Sequence, residues 1–285
     1  LWGTLETGLF CSIFPGTKQS EGLEIARDIQ KRLAEKSEQT VTIGIASYPI
    51  SAFKKSDMID NSRKALDHAA FFGPGSAVAF DGVSLNISGD KLYENGDLQG
   101  AIDEFKRALL IDPSNINVHN SLGVCYGLVG EYESAIEEFK AVASIDPKES
   151  MAMFNLGLVH ALRKQPEGAI EFFLTADKIN DDVYEVAFQS GKLYFELGDL
   201  EKAKPFLERA AKLDPDSGAV YRYLGDCYAA GNLTQDAISA YKKAIRHNPH
   251  DAASMSALGC LFDAQGENSE ITLMFCRESV GLSPE

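Results

Sequence analysis

A dipeptide, Leu122-Gly123, returns as Leu156-Gly157, Leu224-Gly225 and Leu258-Gly259. Ala135 returns as Ala169, Ala203 and Ala237, and Pro147 has counterparts at Pro113, Pro215 and Pro249. Every step is 34 residues or a multiple of it. Such a period marks a stack of small supersecondary units. Each unit is too small to bury its apolar face alone and does so against its neighbours. A chain with this pattern is therefore built by repetition and not around one central core.

Six registers of 34 residues fit: 82–115, 116–149, 150–183, 184–217, 218–251 and 252–285. The order of Leu-Gly, aromatic, Ala, second aromatic, Ala and closing Pro resembles the tetratricopeptide repeat (TPR), a 34-residue helix–turn–helix. The resemblance covers 82–285 and implies a mainly α fold, a TPR α-solenoid of about six helix-turn-helix repeats. Position 8 is Gly89, Gly123, Gly157, Gly191, Gly225 and Gly259. Glycine inside a helix costs about 1 kcal/mol, so close helix packing must offset it. Position 20, from Ala101 to Ala237, is small for the same reason. Position 11 (Leu92, Tyr126, His160, Tyr194, Tyr228, Phe262) and position 24 (Phe105, Phe139, Phe173, Leu207, Tyr241, Phe275) carry the large groups that fill the space left open. Gly96, Gly130, Gly198 and Gly266 mark the turn inside a repeat. Register six has Ile271 and Glu278 where alanines stand elsewhere, so it reads as a degenerate terminal repeat.

The net charge is −15, of which −14 belongs to residues 82–285. An acidic surface argues against nucleic acid, whose phosphates need basic groups. No apolar run approaches the roughly 18 residues of a membrane helix. The first ten residues have no basic stretch typical of a signal peptide, and the chain starts at Leu1, as a fragment would. Five cysteines, none in a CxxC pair, argue against a disulfide framework or a zinc site and fit a reducing, cytoplasmic setting. Cys125 and Cys227 stand three periods apart, as core residues would. His160 occupies an aromatic core position, and His247 and His250 lack further ligands nearby in sequence. No metal or cofactor is expected.

Residues 1–81 lie outside the period. Phe10 to Phe14 reads as a strand before Pro15-Gly16, 19–36 as a helix with Leu23, Ile25, Ala26, Ile29 and Leu33 on one face, and Val41 to Ala46 as a buried strand. Asp57 to Phe72 reads as a helix with Ile59, Ala65, Leu66 and Ala69 inward, and Ala77 to Phe80 as a last strand. This order is an α/β unit. The segments FCSIFPGT, VTIGIASYP and ALDHAAFFGPGSAVAF resemble the C-terminal half of a GGDEF (diguanylate cyclase) domain. The resemblance implies a small α/β partial GGDEF-like domain over 1–81, with the signature GG[DE]EF falling on Glu6, Thr7, Gly8, Leu9 and Phe10. Only the Phe matches. Both glycines, the metal-binding carboxylate and the family's phosphate lysine (here Ala70) are replaced, so the resemblance implies a silent domain and no enzyme activity.

The repeats then read as an interaction module. In the TPR family the first helices line a concave face. Carried over, the candidate peptide-binding groove comprises Asn120, Val124, Asn155, Leu158, Leu162, Gln189, Lys192, Phe195, Arg222, Tyr223 and Asp226. A protein or peptide partner is expected there, with no nucleic acid and no membrane. A homodimer through the same array is one rival use, and a cyclic di-GMP-related sensor or cyclase regulated by the repeats is another. A chaperone adaptor for C-terminal carboxylates is disfavoured, because no three consecutive registers supply its lysine and asparagine set.

Overall fold

The structure, a computed structural model, describes residues 2–50, 53–266 and 269–282. Among them are fourteen α-helices and four short strands. The chain forms two compact units, Leu1–Asp146 and Pro147–Glu285.

The first unit begins with a hairpin, β1 (Trp2–Glu6) and β2 (Leu9–Ser12), antiparallel, with Gly8 at φ +78° in its turn. Then follow α1 (Gln19–Ala34), β3 (Ile43–Ile45), α2 (Met58–Ala70) and β4 (Ala77–Ala79), with β3 and β4 parallel. Helix α2 is the crossover between them, as parallel strands require. It lies so close to β3 that a Cβ at Gly44 would overlap the Ser62 carbonyl oxygen and the Leu66 nitrogen. The α/β order read from sequence is present, but as two separate two-stranded sheets. Strands this short cover little of the helices. Of the apolar face read on α1 only Ala26 is buried, Ile29 is exposed, and on α2 Ile59 is exposed while Ala65 and Ala69 are buried.

Two helix pairs complete this unit: α3 (Gly82–Glu94) with α4 (Leu98–Ile111), and α5 (Ile116–Val129) with α6 (Tyr132–Ile145). The second unit holds α7 (Ser150–Leu162), α8 (Pro166–Ile179), α9 (Tyr184–Glu196), α10 (Leu200–Leu213), α11 (Gly218–Ala230), α12 (Thr234–His247), α13 (Ala252–Ala264) and α14 (Ser269–Leu282), again in pairs. The side chains of Ile271 and Cys276 lie outside the described residues. Asp97, Asn115, Asp199, Ser217 and Asp251 cap α4, α5, α10, α11 and α13, each accepting a bond from a backbone N–H in the first turn.

Inside a pair, the first-helix glycine faces the second-helix aromatic. A Cβ on Gly89, Gly123, Gly157 or Gly225 would stand 2.5–2.7 Å from the ring of Phe105, Phe139, Phe173 or Tyr241. Each ring therefore lies against bare helix backbone. The turn between paired helices takes a left-handed residue in every register: Gly96, Gly130, Gly198 and Gly266, but also Lys164 and Asn232, both at φ +58°. In five registers the next residue donates a backbone bond five residues back, as Glu131 does to Tyr126 and Gln165 to His160, which closes a Schellman-type turn.

The period starts at residue 82, yet compactness divides the chain at Asp146/Pro147. A buried polar knot ties α2, which lies before the period, to the first helix pair, so both belong to one unit. Lys64 Nζ stands 2.8 Å from Glu104 Oε1, which also accepts from Arg107 Nη1 at 2.9 Å. Arg107 donates to Asn61 and lies over the Phe53 ring, and His68 meets Ser84 at 3.1 Å. Glu104 Oε2 is enclosed and finds no partner among the described residues.

Candidate peptide-binding face

Within a unit, first helices of neighbouring pairs meet, α3 with α5, α9 with α11 and α11 with α13, so residues 34 apart on them share one face. Asn120 and Val124 belong to α5 of the first unit. Val124 is exposed, and Asn120 is half-buried with its Oδ1 enclosed and unpartnered among the described residues. Asn86, at the same repeat position in α3, also has an enclosed Oδ1, while its Nδ2 donates to Asp90.

The other nine residues belong to the second unit. Asn155, Leu158 and Leu162 follow one face of α7 at helical spacing. Leu162 is exposed, whereas Leu158 packs against the core of Phe154 and Phe173 and is part wall, part surface.

The structure gathers the remaining residues on α9 and α11, with Gln189 half-buried among them. Phe188, Lys192 and Phe195 stand on one side of α9 at spacings of four and three. Opposite, Tyr223 of α11 receives Phe188 edge-on at 5.6 Å and Phe195 edge-on at 6.0 Å between ring centres. Such edge contacts favour the ring quadrupoles. Tyr184 stacks on Phe188 at 5.8 Å, and its hydroxyl is 2.7 Å from the Oγ of Ser217, the α11 cap. Two cations lie over Tyr223: Arg222 at 5.2 Å and Lys192 at 5.9 Å. All of these side chains are half-buried, a floor that is packed yet open to solvent.

Asp226 follows one turn after Arg222. It accepts from the Tyr241 hydroxyl at 2.7 Å. Burial raises its carboxyl above the usual range, against the opposing effects of that hydrogen bond and of Arg222. Tyr241 is raised in turn by its own burial and by the bond to Asp226. Asp251 caps α13 through Ser254, donor of a backbone bond at 3.3 Å and a hydroxyl bond at 2.7 Å.

Tyr184 and Phe188 escape the sequence reading. Phe188 holds the same repeat position as Asn120 and Arg222, so the period alone can find it. His160 lies on Phe172 at 5.0 Å and His247 stacks on Tyr221 at 5.7 Å, while His250 is exposed. Cys125 is buried and its thiol is pushed up to about 11, mainly by desolvation, which suits a core residue. Among the described residues no group of three His, Cys, Asp or Glu could hold a metal ion, and no helix is long and apolar enough to cross a membrane.

A family model described as "Tetratricopeptide repeat" matches residues 126–183 and 188–252, and one described as "TPR repeat" matches 89–130. The cellulose synthase operon protein C of Xanthomonas axonopodis pv. citri is 34% identical over 80 residues. That stretch is 28% of this chain, and the chain spans only 5% of that relative's length. Among solved structures, PilF of Pseudomonas aeruginosa superposes with a TM-score of 0.65 at 19% identity, covering 71% of this chain and 92% of PilF. YrrB, described as a TPR protein with an unusual peptide-binding site, gives 0.55 at 18% identity over 64% of this chain and 93% of its own. MamA gives 0.51 at 27% identity over 57% of this chain and 96% of its own. The 34-residue period, the paired helices with glycine against aromatic, and these matches agree: the chain is a tetratricopeptide repeat protein.

Proposed function

We propose that this chain is a protein-interaction scaffold that holds an extended segment of a partner on the first-helix face of its repeats. The observation that carries this is the floor of Phe188, Phe195 and Tyr223, half-exposed on α9 and α11 and flanked by polar groups. A few apolar anchors ringed by polar contacts are what dominate affinity in such interfaces. Asn155, Leu158, Leu162 and Gln189 extend the reading over α7 and α9 of the second unit, and Asn120 and Val124 offer the equivalent face on α5 of the first. The peptide-binding site named for YrrB supports it by analogy of fold. Cys11, Cys125, Cys227 and Cys260 are unpaired, which supports a cytoplasmic setting.

For residues 1–81 we infer a silent remnant of a GGDEF-like fold that serves the repeats as a structural end-piece. The β1–β2 turn falls on Thr7-Gly8, within the five signature positions. Glu6, where the family has glycine, bonds Arg63 at 2.8 Å and ties the hairpin to α2.

Photo-crosslinking in the source cell tests the scaffold reading. A benzophenone amino acid at Gln189, on the first-helix face, should trap a protein partner that the same group at Glu167, exposed on α8, does not. Equal crosslinking from both sites, or crosslinks only between copies of this chain, would refute a partner groove.

A further inference from the structure

The chain is strongly acidic, and its overall field favours a basic partner. The aromatic floor on α9 and α11 is different in kind. Both groups lying over Tyr223 are the protein's own cations, Lys192 and Arg222. The negative face of that ring is therefore already engaged, and an incoming lysine or arginine would meet two positive charges where it would seek a π-face. Neither cation is well satisfied by a carboxylate. Lys192 reaches Glu196 only at 3.8 Å, and Arg222 reaches Asp251 only at 3.8 Å, both beyond the 2.7–3.2 Å of a hydrogen bond.

The acids nearby are committed elsewhere. Asp251 is buried and holds Ser254 as a helix cap, and Asp226 accepts the Tyr241 hydroxyl. Burial also disfavours the charged form of Asp226. Arg222 carries five donors in a rigid fork suited to a bidentate carboxylate, and Lys192 adds a mobile ammonium across the same ring.

We propose that Lys192 and Arg222 form an anion subsite on this face, which receives an aspartate or glutamate side chain of the partner while an adjoining large apolar side chain lies on Phe188, Phe195 and Tyr223. The partner segment is thus acidic and aromatic or aliphatic, against the sign that the chain's net charge suggests. This rests on the scaffold reading and specifies its ligand chemistry. An internal acidic side chain suffices, and a free chain terminus is not required.

The test is fluorescence anisotropy with the whole chain and three fluorescein-labelled, C-terminally amidated peptides. They share one alternating pattern of Phe and a second residue, which is Glu, Gln or Lys. The Glu peptide should bind about ten-fold or more tightly than the Lys peptide, with Gln between, and the preference should shrink as salt is raised. Arg222→Gln and Lys192→Gln should each weaken the Glu peptide several-fold and leave the Gln peptide unchanged. A Lys192→Glu/Arg222→Glu variant with an unaltered circular dichroism spectrum should reverse the order and favour Lys. Equal binding of all three peptides, tighter binding of Lys to the wild type, or no binding of any peptide would overturn the proposal. If it fails while Gln189 still traps a partner in cells, the anion subsite is wrong and the scaffold reading stands.

Discussion

Replacing Gly157 by alanine sets two effects of known sign against each other. Alanine is the better helix former by about 1 kcal/mol, and Gly157 sits inside α7. Its new Cβ, however, would stand 2.5 Å from two ring carbons of Phe173 and 3.2 Å from the Ala169 carbonyl oxygen. Ordinary contact begins near 3.4 Å, so the ring must recede by about 0.9 Å, the difference between 3.4 and 2.5 Å. It has nowhere to go: Phe173 is 1% exposed, with the Phe154 ring at 5.7 Å and Ala169 and Ala176 fully buried around it. Overpacking of this kind costs about 1–3 kcal/mol, and subtracting the helical gain leaves a net loss of about 0–2 kcal/mol. Gly127→Ala is the matched control, a helical glycine in α5 whose Cβ would meet nothing within 4 Å. It should gain about 0.5–1 kcal/mol. Urea unfolding followed by far-UV circular dichroism measures both, with a shared slope required before midpoints are compared. Gly157→Ala/Phe173→Leu should recover part of the loss, giving a non-zero coupling energy. If both single variants stabilise the chain alike, the glycine–aromatic packing is misassigned.

Four further outcomes follow from the same geometry. Lys64→Met should cost about 3 kcal/mol or more by leaving a buried carboxylate with one cation fewer, and Lys64→Met/Glu104→Met should restore at least half of it in thermal unfolding. Asp226 has a raised carboxyl, so the penalty on its charged form is full above its folded pKa, fades as pH falls through that pKa and is gone below the unfolded value; Asp226→Asn should therefore raise the unfolding midpoint at pH 7 and lose that advantage near pH 3, and a gain that grows on acidification would contradict this. Lys164→Gly relieves a left-handed non-glycine residue, and the gain should stay under about 1 kcal/mol because glycine also loosens the unfolded chain, whereas a loss would show that the Lys164 side chain matters more than its backbone. Incubation with GTP and Mg²⁺ or Mn²⁺ should yield no cyclic di-GMP, since neither the signature glycines nor its carboxylate are present, and turnover above background would refute the silent-domain reading.

The helix pairs are legible in the sequence because glycine, alanine and aromatic landmarks return at one interval, and each landmark has one mechanical reason. The turn is legible only where that reason leaves a mark. Gly96, Gly130, Gly198 and Gly266 announce a positive φ, but Lys164 and Asn232 adopt it without glycine, so only the period can place them. On the candidate face, Lys192, Phe195, Arg222 and Tyr223 follow from family positions and do converge. Phe188 is hidden because an aromatic at helical spacing also reads as core, and in this protein it packs against the core while staying partly exposed. In residues 1–81, apolar periodicity overstates the burial of Ile29 and Ile59, because three-residue strands offer too little surface to cover them.

The knot of Lys64, Glu104 and Arg107 has a consequence for where this chain can be cut. A repeat array exposes the inner surface of its first repeat unless something closes it. Here α2 closes it, and with charge as well as apolar contact. A truncated chain starting at Gly82, where the period starts, would turn Glu104 and Arg107 toward water without Lys64 and Asn61. It would also remove the Phe53 ring from under Arg107. The natural seam by compactness is sixty-odd residues later, before Pro147. A truncation that respects the repeat would thus cut through a compact unit and sever this polar knot.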